Sequence, residues 1–276
     1  MSPSTVPYAH DDGRTLFLGK GPAKIDPRTF KLEKFLALAP PPASVNWFGS
    51  VTDFGTMLNT VLGNCVTAAI GHSKQVVTLN TPGGEITPPD IVIEELYEHA
   101  CGYVPGNPST DNGCVIVDTL NYVRKNGLGH KHKPPLSVRH HRPLLYAYAD
   151  PNPGNFTQLQ QGIATFMVAD IGLQLPITAQ AQVGGLWDVV GDPNTDPNSM
   201  PGSWGGHSII LGAYTQSSEI YVGVTWGALQ SMTQRFLATY MDESHILLLY
   251  ELLAHLGTTS GVNLALLDQE LQSLNN

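Results

Sequence analysis

The chain carries few charges, no run of basic residues and no long apolar stretch. Charged residues make up 13% of its 276 positions, against about 25% in a typical soluble domain. The 14 Lys and Arg are outnumbered by 23 Asp and Glu, and the net charge is −9. Without a basic patch there is nothing to neutralise a phosphate backbone, which excludes nucleic acid as a partner. The apolar run Ile246–Leu253 is broken by Glu251 and is far shorter than the roughly 20 residues a membrane span requires. Met1-Ser2-Pro3-Ser4-Thr5-Val6-Pro7 has neither a basic start nor an apolar core, so it does not read as a secretory signal, and a cytoplasmic or virion-associated location is expected. There are only three cysteines. Without a signal segment they are expected as reduced thiols, although a 13-residue loop would let Cys101 and Cys114 pair.

What the chain has in quantity is turn-formers, 28 Gly and 21 Pro, with a hydrophobic fraction of 42%. This describes a loop-rich globule able to bury a substantial core, or one whose surface is covered by partners. Residues 1–45 read as an extended, Pro-rich arm, with one short helix over Arg28–Ala37. A helix is expected from Asn64 to near Asn80, a second from Pro88-Pro89-Asp90 to Ala100, and a third from near Asp111 to Asn126-Gly127. Strands follow at Leu144–Ala149, Met167–Leu175, His207–Tyr214, Glu219–Trp226 and His245–Tyr250. Helices are expected at Asn155–Phe166, Thr233–Tyr240 and, amphipathic, over Val262–Leu274. The Gly/Asp/Pro/Asn-rich stretch Gly184–Gly206 is too long for a mere connector and suggests a loop beside a site.

Two segments carry chemistry. Cys65 opens the first helix, where free N–H groups and the helix dipole favour a thiolate. His207 follows Gly205-Gly206 and heads an apolar strand, placed to take the thiol proton from another part of the fold. Other candidates read as structural. His130, His132, His140 and His141 are interleaved with Lys131, Lys133, Arg139 and Arg142, which oppose a metal cation. Asp188, Asp192 and Asp196 lack calcium-loop spacing and suit turns. His72 lies seven residues beyond Cys65, roughly 10 Å along the helix, too far to act as its base. No cofactor and no metal are implied.

These segments resemble the papain-like cysteine peptidase superfamily, and in particular a bacterial and phage branch of it. The likeness rests on Asn64-Cys65-Val66-Thr67-Ala68-Ala69 as the nucleophile turn, Gly205–Tyr214 as the His strand and Val224-Thr225-Trp226-Gly227 as the element after it. It also includes the stretch from Asn112-Gly113-Cys114 to Asn126-Gly127-Leu128. It covers roughly residues 45–250, and the distance from Cys65 to His207 falls within the roughly 130–150 residues seen in papain-type enzymes.

The resemblance implies an α+β, two-lobed fold. The expected division is an arm over 1–45, a domain over 46–258 with a helical lobe to about 135 and an antiparallel β lobe after it, and a terminal helix over 259–276. It implies attack on an amide carbon by Cys65, His207 as base and then acid, and an oxyanion hole at Asn59, where the family usually carries Gln. Trp226 and Gly206 pack near the site. A peptide or other amide is the implied substrate, and assembly through the arm or terminal helix is a further expectation.

One departure bears on mechanism. The family's ring-orienting Asn is matched by Val224, which accepts no hydrogen bond, and simple alternation puts Thr225 on the opposite face. Three readings follow: a backbone carbonyl orients His207, or the site is a Cys–His dyad, or catalysis has been lost and the chain is a structural or binding protein such as a phage particle component.

Overall fold

The computed structural model describes residues 7–27, 29–34, 40–49, 51–128, 145–150 and 154–252. The expected terminal helix and the His130–His141 cluster lie outside them. Before the first long helix come three short strands, β1 (Tyr8–Ala9), β2 (Thr15–Leu16) and β3 (Phe30–Lys31), a single 3₁₀ turn over Leu32–Lys34, and β4 (Ser44–Asn46). The short helix expected over Arg28–Ala37 is thus a strand and a 3₁₀ turn where the chain is described. Phe30 and Lys31 pair in parallel with the strand β5 (Leu145–Asp150), and that pairing takes the backbone groups a helix would have used.

Three helices follow: α1 (Cys65–Leu79), α2 (Asp90–Cys101) and α3 (Ile116–Asn126). Nearly every residue of α1 is buried, including His72, Lys74 and Gln75, so this helix runs through the centre of the molecule and is not amphipathic. Its interior cation is paired, Lys74 with Glu251, as a buried charge requires. The α2 helix ends at Gly102, whose φ of 80° supplies the left-handed cap. The third helix begins five residues later than the sequence pattern suggests. Asn107 caps a 3₁₀ turn over Pro108–Thr110, and the Cys114 backbone is drawn into a β-bridge with Lys20, so it cannot start a helix.

The second half adds α4 (Phe156–Phe166), β6 (Ala169–Leu175), β7 (Leu186–Trp187), β8 (Gly205–Thr215), β9 (Ile220–Thr225), β10 (Ala228–Thr233), α5 (Gln234–Tyr240) and β11 (Met241–Leu249). With β3 and β4 from the arm, these strands form one largely antiparallel sheet in the order β3-β5-β11-β6-β8-β9-β10-β7, with β4 also on β8. The α1 helix packs against β8, so the helix that begins with Cys65 rests on the strand that carries His207. Two sheet features were not read from the sequence. Strand β10 hides because one of its inward positions is Gln230, buried but bonded to Gly184 and Gly185. Strand β11 begins at Met241, before His245, because its polar Asp242-Glu243-Ser244 start reads as a loop.

Cys101 and Cys114 form a disulfide, which corrects the expectation of reduced thiols at these positions. Cys65 remains the free cysteine. The bridge closes a short loop that carries Asp111, whose carboxylate accepts from Tyr97 on α2 behind the Cys65 turn. Cys101→Ser is expected to cost about 3 kcal/mol of folding stability, read as a lower midpoint in reversible denaturant unfolding. An unchanged midpoint would show that the bridge does not constrain the unfolded chain.

Candidate active site

Cys65 is the first residue of α1 and is 1% exposed. The preceding turn is held by Asn64, whose Nδ2 donates to the Met57 carbonyl at 2.9 Å, and by Asp111, which accepts the Gly63 N–H at 3.0 Å. The same Asp111 carboxylate accepts from the Tyr97 hydroxyl, which in turn accepts the Gly113 N–H at 2.8 Å. The Cys65 turn and the Gly113–Cys114 wall are therefore fixed to one another. Burial pushes the Cys65 thiol up to about 12, with the nearby Ser208 and Gly19 backbones opposing the shift only in part.

His207 is fully buried on β8 and stacks on Trp226, with ring centroids 4.4 Å apart and planes at 17°. Its Nε2 shares a hydrogen bond of 2.6 Å with Thr225 Oγ1, and its Nδ1 has no hydrogen-bond partner among the described residues. Burial lowers its pKa to about 3. Thr225 thus faces His207, contrary to the expectation that it points away. The β8–β9 register explains the error: Ile210 pairs with Val224, so Val224 shares the face of Ser208 and Ile210. Thr225 then lies on the face of Ile209 and His207. Taking Val224 as the residue facing the imidazole shifts every face by one.

The groove above these residues is filled by the chain's own residues 14–21. Leu16, Leu18 and Lys20 are buried. The N–H groups of Gly19 and Lys20 donate to the Gly206 carbonyl at 3.2 and 3.0 Å. Cys114 N–H donates to the Gly19 carbonyl and Gly21 N–H to the Cys114 carbonyl, both at 2.7 Å, in a parallel bridge. Upstream, the Phe17 carbonyl accepts from Trp226 Nε1 at 3.0 Å and from Asn59 Nδ2 at 3.3 Å. Asn59 also donates to Leu62 O at 3.1 Å, and Arg14 Nη1 reaches the Trp226 carbonyl at 2.8 Å. The fit is close: a Cβ at Gly19 would run into the Gly63 carbonyl, and one at Gly206 into the Lys20 carbonyl. Gly206 is accordingly the bare platform on which the strap lies.

The strap touches Asn59, Trp226 and Gly206 directly and packs on Gly63, two residues before Cys65, while His207 follows Gly206 on β8. His72 is buried in α1 and contacts the Phe54 ring edge-on. Asp188 pairs with Arg235, and Asp192 and Asp196 cap turns. Among the described residues no group of three or more His, Cys, Asp or Glu side chains is arranged to hold a metal. Thr225 and the strap were missed from sequence. A face count through the β8–β9 pairing would have found the first, and Gly19-Lys20-Gly21 was the one local signal of close backbone approach for the second.

No family model matches the chain, and no curated protein matches its sequence. Solved structures do match in fold. Xylellain, a cysteine protease from Xylella fastidiosa, aligns with a TM-score of 0.58 at 16% identity, over 83% of this chain and 95% of that one. Digestive procathepsin L 3 of Tenebrio molitor larval midgut aligns at 0.54 and 12% identity, over 80% and 74%. The Carica candamarcensis cysteine protease CMS1MS2, solved in complex with E-64, aligns at 0.51 and 14% identity, over 75% and 98%. The chain has the papain-like α+β fold.

Proposed function

We propose that this chain is a cysteine-nucleophile amide hydrolase or acyltransferase whose groove is closed by its own residues 14–21. The observation that carries this reading is the His207 ring. It is clamped between Trp226 and Thr225 with Nδ1 left over, on the strand against which the Cys65 helix packs. With Thr225 Oγ1 accepting from Nε2–H, Nδ1 is the ring's basic nitrogen. It takes the Cys65 proton, and the sulfur adds to the amide carbon. The imidazolium then protonates the amine as the C–N bond breaks, leaving a thioester. Water or another nucleophile attacks it and gives its proton to Nδ1, the C–S bond breaks, and the imidazolium returns that proton to sulfur to restore the thiol.

Asn59 Nδ2 and Trp226 Nε1 converge on one carbonyl of the strap. This supports a role for Asn59 in polarising a substrate carbonyl once the strap has left, alongside the Cys65 N–H. Asn59→Ala is expected to lower turnover by about 10²–10³ while leaving alkylation of Cys65 largely intact, because the donor acts on the oxyanion and not on the thiolate. Equal losses in both assays would contradict that division. Thr225→Val keeps the shape and removes the acceptor, so the ring loses its fixed tautomer but not its place. Turnover is expected to fall by about 10–10², and a rate unchanged from wild type would remove Thr225 from the site.

A second reading has its own observation. In the closed chain Cys65 and His207 are both held neutral by burial, as suits a structural or binding protein that has kept the fold. Displacing the strap separates the two readings: Cys65 should then react as an activated thiol in the first and as an ordinary one in the second.

A further inference from the structure

Resting on the reading of residues 14–21 as the closing strap of a cysteine hydrolase, we propose that the Cys101–Cys114 disulfide is a redox latch on that strap. A dithiol reductant opens the bond, the wall that seats the strap loosens, and Cys65 comes within reach of solvent. Cys114 forms one end of the latch and is also the residue with which the strap pairs. Its N–H donates to the Gly19 carbonyl and its own carbonyl accepts the Gly21 N–H, both at 2.7 Å. These bonds are shorter than the 3.2 and 3.0 Å bonds that Gly19 and Lys20 make to Gly206. The neighbouring Gly113 lies against the same strap residue, and a Cβ there would run into the Gly19 carbonyl. Gly19 is thus seated between the wall at Gly113 and the Cys65 turn at Gly63.

The wall hangs from α2. Residues 111–115 belong to no helix, and their β-bridge is the one made to the strap. Two ties join Gly113 and Cys114 to α2. The Tyr97 hydroxyl accepts the Gly113 N–H at 2.8 Å, and the disulfide joins Cys114 to Cys101, the last residue of the helix. Reduction removes the covalent tie and leaves the hydrogen bond. The two sulfurs, no longer bonded, move apart to ordinary contact, and Cys114 carries the strap's partner groups with it. Cys101 is partly exposed and Cys114 is buried, so a reductant meets the Cys101 sulfur first. One thiolate of the dithiol attacks that sulfur, the S–S bond breaks, and Cys114 leaves as a thiolate. The dithiol's second thiolate attacks the mixed disulfide, releases Cys101 as a thiolate and closes the dithiol's own disulfide. The two cysteines take up the two protons that the dithiol gave up. Cys65 is the free thiol throughout, so the step exposes the nucleophile without consuming it.

The test compares the full chain oxidised and after reduction by dithiothreitol, which is then removed under argon. Mass spectrometry follows two rates: amide exchange of the peptide spanning residues 14–21, and iodoacetamide modification of the Cys65 peptide. Alkylation is run at pH 9, where an exposed thiol with a pKa near 8.5 is mostly ionised, so the rate reads access and not activation. Both rates are expected to rise by at least about 10-fold on reduction, as local opening of the strap requires. Cys101→Ser with Cys114→Ser should give the same result without reductant. In the Gly19→Val chain the strap is already displaced, so reduction should change the Cys65 rate by less than about 2-fold. Lys20→Glu, which sets a carboxylate against Asp242, is the second strap-releasing background if the first does not fold. Unchanged rates in the reduced wild-type chain overturn the latch, as does a disulfide that dithiothreitol leaves intact in the folded protein. Equal acceleration in the strap-released background also overturns it, because the bond then holds the whole fold and not the strap. Alkylation at pH 6 judges the nucleophile separately. A strap that opens on reduction over an ordinary thiol keeps the latch and loses the hydrolase reading.

Discussion

Replacing Gly19 with valine is expected to raise the rate at which iodoacetamide modifies Cys65 by at least about 10². In the closed chain Cys65 is 1% exposed and Gly19 packs against Gly63, two residues before it, so reagent reaches the sulfur only when the strap opens. A Cβ at position 19 meets the Gly63 carbonyl, and Gly63 is itself held by Asp111. The body of the protein cannot yield there at low cost, so the strap must lift. Opening exposes Leu16 and Leu18, each worth roughly 1.5–3 kcal/mol of buried apolar surface. The variant should therefore melt at a lower temperature while its sheet core stays folded. Quantifying the modified Cys65 peptide by mass spectrometry against time gives the rate. A rate equal to wild type would mean that the strap does not guard the sulfur.

The second large effect is the loss of turnover in the opened protein on removal of the imidazole. With the Gly19→Val background as reference, His207→Ala is expected to lower hydrolysis of a peptide amide by about 10³–10⁶. Members of a nucleophile–base unit act together, so losing one removes most of what the unit contributes. Thr225→Val acts only through the ring and has the smaller effect given above. Comparable losses in the two variants would mean that the ring's orientation, and not its proton chemistry, sets the rate. Turnover that survives His207→Ala would point to another base.

The elements that were legible carry local signals. The apolar run after Asn64, Gly127 at the end of the third helix and the paired glycines before the His strand each mark a boundary. The features read wrongly or not at all depend on pairings that the sequence does not state. Which of Val224 and Thr225 faces the imidazole follows from the register with Ile209 and Ile210, and no count along one strand can supply it. The segment Thr15–Gly21 has no periodic signature because its binding is through backbone groups to Gly206 and Cys114. Asp242 and Glu243 look like loop residues until Lys20 is seen between them. The Cys101–Cys114 pairing was permitted by spacing, but the closeness of the two residues is set by how α2 and the Cys114 bridge pack.

The most direct measurement is the pH profile of Cys65 alkylation in the Gly19→Val chain, with and without His207→Ala. If opening the strap lets Cys65 and His207 form an ion pair, the thiolate gains a cation and the helix N-terminus, and its pKa falls. Alkylation should then stay fast down to about pH 5–6, well below the ordinary thiol value near 8.5. Removing the imidazole should return the profile toward that ordinary value, because the cation that favoured the anion is gone. A single ordinary-thiol profile in both proteins would contradict the account and leave a structural or binding role for the fold.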